Sequence, residues 1–161
     1  MQYRRAKTPG ATYFFTLVTH HRRPIFCQSE NIDLLRDAFR YVMKQHPFKI
    51  DAIVILRDHL HCLWTLPDND ADFSTRVRLI KSYFSRKCHA SYQGKMTFSR
   101  QQKGEKAIWQ RRFWEHQIRD ERDACEPFGI CSFSTRPSRI SHCAERLAVF
   151  EFSPLCCSGN I

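Results

Sequence analysis

The sequence predicts one α+β domain of the ferredoxin-like, split βαβ type, an antiparallel sheet with two helices on one face. Three observations support this prediction. Short runs of β-branched and aromatic residues alternate with two segments of helical periodicity, in the order strand, helix, strand, strand, helix, strand. The length of 161 residues suits one domain with a sizeable core. No apolar run approaches the roughly 20 residues that a membrane-spanning helix requires.

The first strand and the first helix have clear local signals. Residues 11–19 are rich in aromatic and β-branched side chains, which favour a pleated and half-buried surface. A helix is predicted from 29 to about 45, with Ser29 as its N-cap. Its apolar positions at helical spacing are Ile32, Leu35, Phe39, Val42 and Met43. Pro47 ends the helix, because proline disfavours helix in the residue before it.

Two strands follow, and the second carries a pair of histidines. Residues 50–56 form a short apolar, β-branched run, and residues 59–66 alternate in the manner of a strand. His59 and His61 must therefore share one face of the sheet, because successive strand side chains point to opposite faces. Two imidazoles on one face can hold a divalent metal ion if further ligands come from elsewhere. The residues alone leave open the alternative of two half-exposed histidines without a ligand.

The remaining elements carry many basic residues. A second helix is predicted from 74 to about 92, with Val77, Ile80, Phe84 and Cys88 inward. Its outward positions are Arg76, Lys81, Arg86 and Lys87. Such a basic face is either solvated or contacts a nucleic-acid backbone. Residues 93–106 form a polar loop, and 108–118 a last strand or hairpin with Arg111 and Arg112 at its turn.

Charge and composition favour a nucleic-acid partner. The net charge is +10 and aromatic residues make up 13% of the chain. Cations neutralise phosphates and aromatic rings accept unstacked bases, although a merely soluble basic protein is the alternative. The N-terminus lacks the apolar segment of a signal peptide, so a cytoplasmic location is expected. The eight cysteines include no Cys-x-x-Cys, so neither a zinc ribbon nor a disulfide scaffold is predicted.

Several segments together resemble the REP-associated tyrosine transposases, which belong to the single-tyrosine HUH class of transposases and nickases. In chain order they are YRR, PGATYFFT, VILRDHLHCLW, IKSYFSR and IWQRRFWEHQIRD. The resemblance covers residues 1 to about 123, which we take as an HUH endonuclease-like domain. Residues 124–161 form a tail of different composition, rich in Cys and Ser and without Lys, Asp, Trp or Tyr.

The resemblance implies a DNA strand-transfer enzyme acting on repetitive extragenic palindromic (REP) DNA, as a hairpin with single-stranded flanks. The pair His59 and His61 would hold Mg²⁺ or Mn²⁺ at the scissile phosphate, which a tyrosine hydroxyl attacks to form a 5′-phosphotyrosine link. Arg4 and Arg5 match the family's basic N-terminal segment. The residues expected to contact DNA are Arg4, Arg5, Lys81, Arg86, Arg111 and Arg112.

The chain departs from the family after Asp123, where the nucleophilic tyrosine is expected. Its five tyrosines all precede residue 93. We hypothesise that residues from about 124 are read out of frame and that the chain binds DNA without cleaving it. One alternative is a domesticated or regulatory HUH protein that only binds DNA. Another is a zinc-dependent structural protein that uses Cys125, Cys143 and His142.

Overall fold

The computed structural model describes residues 7–119, and within them the predicted order of strands and helices is confirmed. The strands are β1 (Thr12–Val18), β2 (Lys49–Ile55), β3 (His59–Thr65) and β4 (Trp114–Gln117). The helices are α1 (Ser29–Gln45), α2 (Phe73–Lys87) and the short α3 (Phe98–Gln102). Single 3₁₀ turns lie at His20–Arg22, Ile25–Cys27 and Ala90–Tyr92. None of the helices in this part of the chain is long and apolar enough to cross a membrane.

The four strands form one antiparallel sheet in the order β2-β3-β1-β4. The strand with the two histidines, β3, is therefore central, as the ferredoxin-like arrangement predicts. The register places four residues in one row across the sheet. Val54 pairs with His61, His61 pairs with Thr16, and Thr16 pairs with Trp114. This row connects the edge strand to the candidate metal ligand.

One face of the sheet packs against α1 and α2, and it holds the hydrophobic core. The alternation of each strand buries every second side chain on this side. From β1 and β3 these buried residues are Tyr13, Phe15, Leu17, Leu60, Cys62 and Trp64. Ring contacts join the layers: Phe15 meets Phe73 of α2 at 5.5 Å and Trp64 meets Phe39 of α1 at 6.1 Å between centroids. The opposite face carries His59 and His61, and we call it the histidine face.

The prediction that Arg76 points outward is wrong. Its side chain is 2% exposed and lies between the start of α2 and the connection from α1 to β2. The guanidinium donates to the backbone carbonyls of His46, Pro47 and Asp72 and to the carboxylate of Asp70. A buried guanidinium is tolerated here because its donors are satisfied by acceptors that would otherwise lack partners.

The ends of the two long helices also differ from the prediction. Ser29 is the first residue of α1, and Gln28 occupies the N-cap position. The N-cap of α2 is Asp72, whose carboxylate accepts from the backbone N–H of Thr75 at 3.0 Å. This helix ends at Lys87 rather than near 92, because the next residue is already extended.

The last predicted segments are more complex than the sequence suggested. The loop predicted over 93–106 contains α3. The region 108–118 contains a last strand, as one of the two predicted alternatives required, but it is not a hairpin. Trp109 forms one isolated bridge with Thr19, and β4 pairs separately with β1. Arg111 and Arg112 therefore lie on the connection between these two pairings rather than at a hairpin turn.

Candidate metal centre and nucleic-acid surface

His59 and His61 lie side by side on the histidine face, as their spacing predicts. Their ring centroids are 4.9 Å apart and the rings meet edge to face. Both side chains are partly buried, and His59 is 20% exposed. Because β3 is hydrogen-bonded on both sides, the two imidazoles stand on a rigid part of the sheet.

Each histidine is held through its Nδ1 atom. Nδ1 of His59 lies 2.6 Å from a carboxylate oxygen of Asp58, and Nδ1 of His61 lies 2.9 Å from the hydroxyl of Thr16. An ionised carboxylate only accepts hydrogen bonds, so Nδ1 of His59 is the donor, and Nε2 is the ring nitrogen left for an ion. Metal-binding histidines are usually oriented by such partners on the other ring nitrogen. The arrangement fits a divalent ion bound through the two Nε2 atoms.

The charge states of His61 and Asp58 favour metal binding. Burial, and then the nearby His59, lower the pKa of His61 below its usual 6.5, so its imidazole is neutral at pH 7. Burial alone would raise the pKa of Asp58. The hydrogen bond with His59, followed by the hydrogen bond and the charge of Arg22, nevertheless holds that pKa below its usual value. An anionic carboxylate thus supports a histidine whose second nitrogen can bind an ion.

The backbone fixes Asp58 independently of its side chain. Thr19 donates to the carbonyl oxygen of Asp58 from its backbone N–H at 2.9 Å and from its hydroxyl at 2.8 Å. Sequence reasoning missed the roles of Thr16 and Asp58. The position of Asp58 next to His59 was a usable signal, whereas Thr16 becomes a partner only through the register of β1 against β3.

Residues 7–119 contain no group of three or more His, Cys, Asp or Glu side chains arranged to hold a metal ion. An ion at the histidine pair would therefore take two side-chain ligands of these types from this part of the chain. The remaining positions around an ion would be filled by water, by phosphate oxygens or by residues beyond this range. Open positions of this kind are what a catalytic metal site needs, since substrate must reach the ion.

A second feature is a cavity of about 620 Å³ between α2 and residues 100–113, which we call the basic groove. Its basic lining residues are Arg78, Lys81, Arg86, Arg100, Lys103, Lys106, Arg111 and Arg112, and its acidic lining residue is Glu105. The structure thus brings Lys81, Arg86, Arg111 and Arg112 into one groove, although they come from two separate segments. The predicted contacts Arg4 and Arg5, and the whole tail with Cys125, His142 and Cys143, lie outside the described residues.

The basic side chains of the groove differ in how firmly they are held. Lys81 donates to the carbonyl of Gln110 at 2.9 Å and lies over the ring of Phe113. Burial, and then the charge of Arg100, lower the pKa of Lys81 to about 8. Arg111 pairs with Glu105 at 2.8 Å. Arg86 and Arg112 are exposed, so they can move to meet a phosphate.

Comparison with known proteins identifies the family. The family model for IS200-like transposases matches residues 7–124. The chain belongs to this family. The REP-associated tyrosine transposase of Escherichia coli K12 is 41% identical over 122 residues, which are 76% of this chain and 64% of that protein. A candidate REP-associated tyrosine transposase of Haemophilus influenzae is 40% identical over 121 residues, 75% of this chain and 68% of the relative. The chain thus spans about two thirds of the length of these relatives.

Two solved structures agree with the fold. A REP-associated tyrosine transposase bound to a REP hairpin matches with a TM-score of 0.64 and 39% identity, over 79% of this chain and 67% of the other. A crystal structure of a candidate transposase from Deinococcus radiodurans R1 matches with a TM-score of 0.52 over 81% of this chain and 95% of the other. At 17% identity, the second match concerns the fold alone. The resemblance and the ferredoxin-like fold class predicted from the sequence are both confirmed.

Proposed function

We propose that this chain is a metal-binding DNA-processing domain of the REP-associated tyrosine transposase type. We further propose that it binds REP DNA but does not cleave it by itself. One observation carries the proposal: two histidines stand on the central strand of a family member, each with its Nδ1 within hydrogen-bond distance of a neighbouring side chain.

In this proposal His59 and His61 hold Mg²⁺ or Mn²⁺ through Nε2. The bound ion supplies Lewis acidity that stabilises charge developing on phosphate oxygens. Both ions prefer oxygen ligands, and phosphate and water would fill the positions that the histidines leave open. Imidazoles also suit softer ions such as Zn²⁺, so the choice of Mg²⁺ or Mn²⁺ rests on membership of the family.

The proposed DNA partner is a REP hairpin with single-stranded flanks. The solved relative at 39% identity is bound to a REP hairpin, and the basic groove offers this chain a surface for a phosphate backbone. Lys81, Arg86, Arg111 and Arg112 line this groove. Arg4 and Arg5 remain proposed contacts on the strength of the family resemblance.

The absence of cleavage is proposed from the positions of the tyrosines. The chain contains Tyr3, Tyr13, Tyr41, Tyr83 and Tyr92. Tyr13 faces the core, Tyr41 and Tyr83 pair with each other on the two long helices at 4.8 Å, and Tyr92 packs against the core. Among residues 7–119, no tyrosine lies on the histidine face. A tyrosine nucleophile would have to come from outside the described residues, where this chain has Tyr3, or from a second, complete copy.

The test combines the protein with Mn²⁺ and a labelled REP hairpin that carries single-stranded flanks. We expect binding in a mobility-shift assay and no covalent protein–DNA adduct on a denaturing gel. An adduct would contradict the non-cleaving part of the proposal. Failure to bind REP DNA more tightly than a scrambled hairpin would contradict the proposed partner. Reading the gene across codons 118–161 in all frames tests the related hypothesis that the tail is out of frame.

Salt dependence tests whether the basic groove contacts phosphates. The logarithm of affinity should fall by about 0.7–0.9 for each neutralised phosphate per log unit of salt. Arg112→Ala should reduce this slope by about 1, because one phosphate contact is lost. Arg40→Ala is the matched control, since Arg40 is an exposed arginine of α1 that pairs with Asp37. Equal slopes in the two variants would place the DNA elsewhere.

A second candidate function is that of a regulatory DNA-binding protein without any metal-dependent step. The absence of a nucleophile on the histidine face among the described residues favours it. In that case His59→Ala and chelation of divalent ions should both leave hairpin affinity unchanged and should alter no other property of the complex. If a metal ion instead joins the histidine pair to a phosphate of the DNA, both treatments should weaken binding to the single-stranded flank.

A further inference from the structure

Trp114 is an exposed aromatic residue on the histidine face, and the metal centre described above does not use it. The chain has three tryptophans. Trp64 and Trp109 are buried, at 0% and 5% exposure, whereas Trp114 is 51% exposed. An indole ring with half of its surface in water, beside a candidate active centre, is a large apolar surface open to a ligand.

The register of the sheet places Trp114 in line with the metal centre. It shares the cross-strand row with Thr16 and His61, two strands away from the histidine. With neighbouring strands about 4.8 Å apart, Trp114 and His61 are separated by about 10 Å at the backbone. The ring of Phe14 fills the space between them, 5.7 Å from Trp114 and 5.4 Å from His61. One or two nucleotides would span such a distance.

The indole ring is held in place before any ligand arrives. Its edge meets Phe14, and its plane is parallel to the ring of His116 with centroids 5.7 Å apart. A ring that is already oriented loses little conformational entropy on stacking, which favours binding.

Charge continuity indicates which ligand suits this surface. Trp114 begins β4, and the residues just before it, Arg111 and Arg112, are exposed and line the basic groove. A DNA strand whose phosphates follow the groove past these arginines reaches the edge of the sheet at Trp114 before it reaches His61. Along the chain the two arginines come before Trp114, and across the sheet Trp114 lies on the edge strand and His61 two strands further in. Cations interleaved with an exposed ring suit a single strand.

We infer that Trp114 stacks on one unpaired base of single-stranded DNA and so positions the adjoining phosphate at the histidine pair. This inference rests on the proposed function and adds a positioning residue to it. Stacking on an indole does not discriminate strongly among bases, so Trp114 would fix the register of the strand rather than read its sequence.

The first experiment uses the tryptophans of the unmodified chain. Acrylamide should quench the fluorescence of Trp114 in free protein, because the other two tryptophans are buried. A REP hairpin with a single-stranded flank should shield it, whereas the hairpin without a flank should not. If Trp114 is shielded from acrylamide in free protein, another segment of the chain covers the ring. If that shielding grows with protein concentration, a second copy of the chain covers it. Either result would contradict the inference.

The second experiment identifies the stacked base. Abasic sites are introduced one at a time along the flank, and affinity is measured for the native protein and for Trp114→Ala. One abasic position should lower native affinity about tenfold, within the range expected for one stacked base. At that position Trp114→Ala should cause no further loss. Trp114→Phe should recover most of the affinity, and Tyr41→Ala, which removes an exposed aromatic on the helix side, should leave it unchanged.

The outcomes separate the inference from the proposed function. If Trp114→Ala binds hairpins with and without a flank as the native protein does, the stacking role is wrong while DNA binding stands. If Trp114→Ala loses the same affinity for hairpins with and without a flank, Trp114 acts through the duplex or through the fold, and the inference again fails. If native protein binds neither hairpin, the proposed function fails as well.

Discussion

Replacing Asp58 by asparagine tests the candidate metal centre most directly. The carboxylate of Asp58 holds Nδ1 of His59 at 2.6 Å, and its side chain is only 13% exposed. The substitution removes the charge and preserves the shape. The local backbone should not change, because Thr19 binds the carbonyl oxygen of Asp58 rather than its carboxylate. The ion pair from Asp58 to Arg22 contributes little, since the arginine side chain is 64% exposed.

Two independent magnitudes give the expected effect on metal affinity. Loss of a partner that orients a metal-binding histidine lowers affinity about 10–100-fold. A hydrogen bond to a charged group is worth about 1.5–3 kcal/mol, which corresponds to a similar factor at about 1.4 kcal/mol per tenfold change. Thr16→Val removes a neutral hydrogen bond worth about 0.5–1.5 kcal/mol, so it should weaken binding at most about tenfold. The aspartate variant should be the weaker binder of the two.

The assay is a titration of the DNA-free protein with Mn²⁺, followed by calorimetry or by the electron paramagnetic resonance signal of the free ion. Asp37→Asn is the matched control, because Asp37 is an exposed acid on α1, on the other side of the sheet, and the change in charge is the same. If Asp58→Asn and Asp37→Asn bind Mn²⁺ equally well, Asp58 does not support a metal ligand. If Thr16→Val is the weaker binder, the charge of Asp58 is not the dominant effect.

Two further predictions concern single basic residues. Arg76→Leu should lower the free energy of unfolding by about 3 kcal/mol in a urea titration, because buried carbonyls lose their donor, whereas the exposed Arg40→Leu should change it by less than about 0.5 kcal/mol. Arg76 also keeps the pKa of Asp70 below 3.8, chiefly through their hydrogen bond, so this contribution to stability is present above pH 3.8 and lost as the pH falls below it. Lys81, with a pKa of about 8, loses its charge as the pH rises. DNA affinity should therefore fall between about pH 7 and pH 9 in the native protein but not in Lys81→Arg. If both proteins showed the same pH dependence of affinity, Lys81 would not be its source.

The parts of the fold that depend on local patterns could be predicted from the sequence. The first three strands and both long helices follow from alternation and helical periodicity, which need no knowledge of distant residues. The five-residue α3 is too short to carry a clear period. The last strand was predicted within 108–118, but its bounds as the four-residue β4 depend on its pairing with β1. The buried Arg76 was missed because a charged residue on a helix is ordinarily exposed.

The candidate site likewise has one part that local sequence patterns predict and another part that they do not. A spacing of two residues on a strand places His59 and His61 on one face, so the pair was predictable. Thr16 and Trp114 join the site through the pairing of β1 with both of its neighbours, and no pattern within one segment reveals that register. The grouping of Lys81 with Arg111 and Arg112 likewise depends on how α2 packs against a distant connection.

The core and the histidine face are determined by a single property of β3, its register against β1. The alternation that buries Leu60, Cys62 and Trp64 against the helices also turns His59 and His61 to the opposite face. A slip of one residue would bury both imidazoles in an apolar core and expose the tryptophan, and both changes are unfavourable. The hydrophobic effect therefore also selects the geometry of the candidate metal centre. Substitutions that loosen the core under β3 should weaken Mn²⁺ binding even though they contact no ligand.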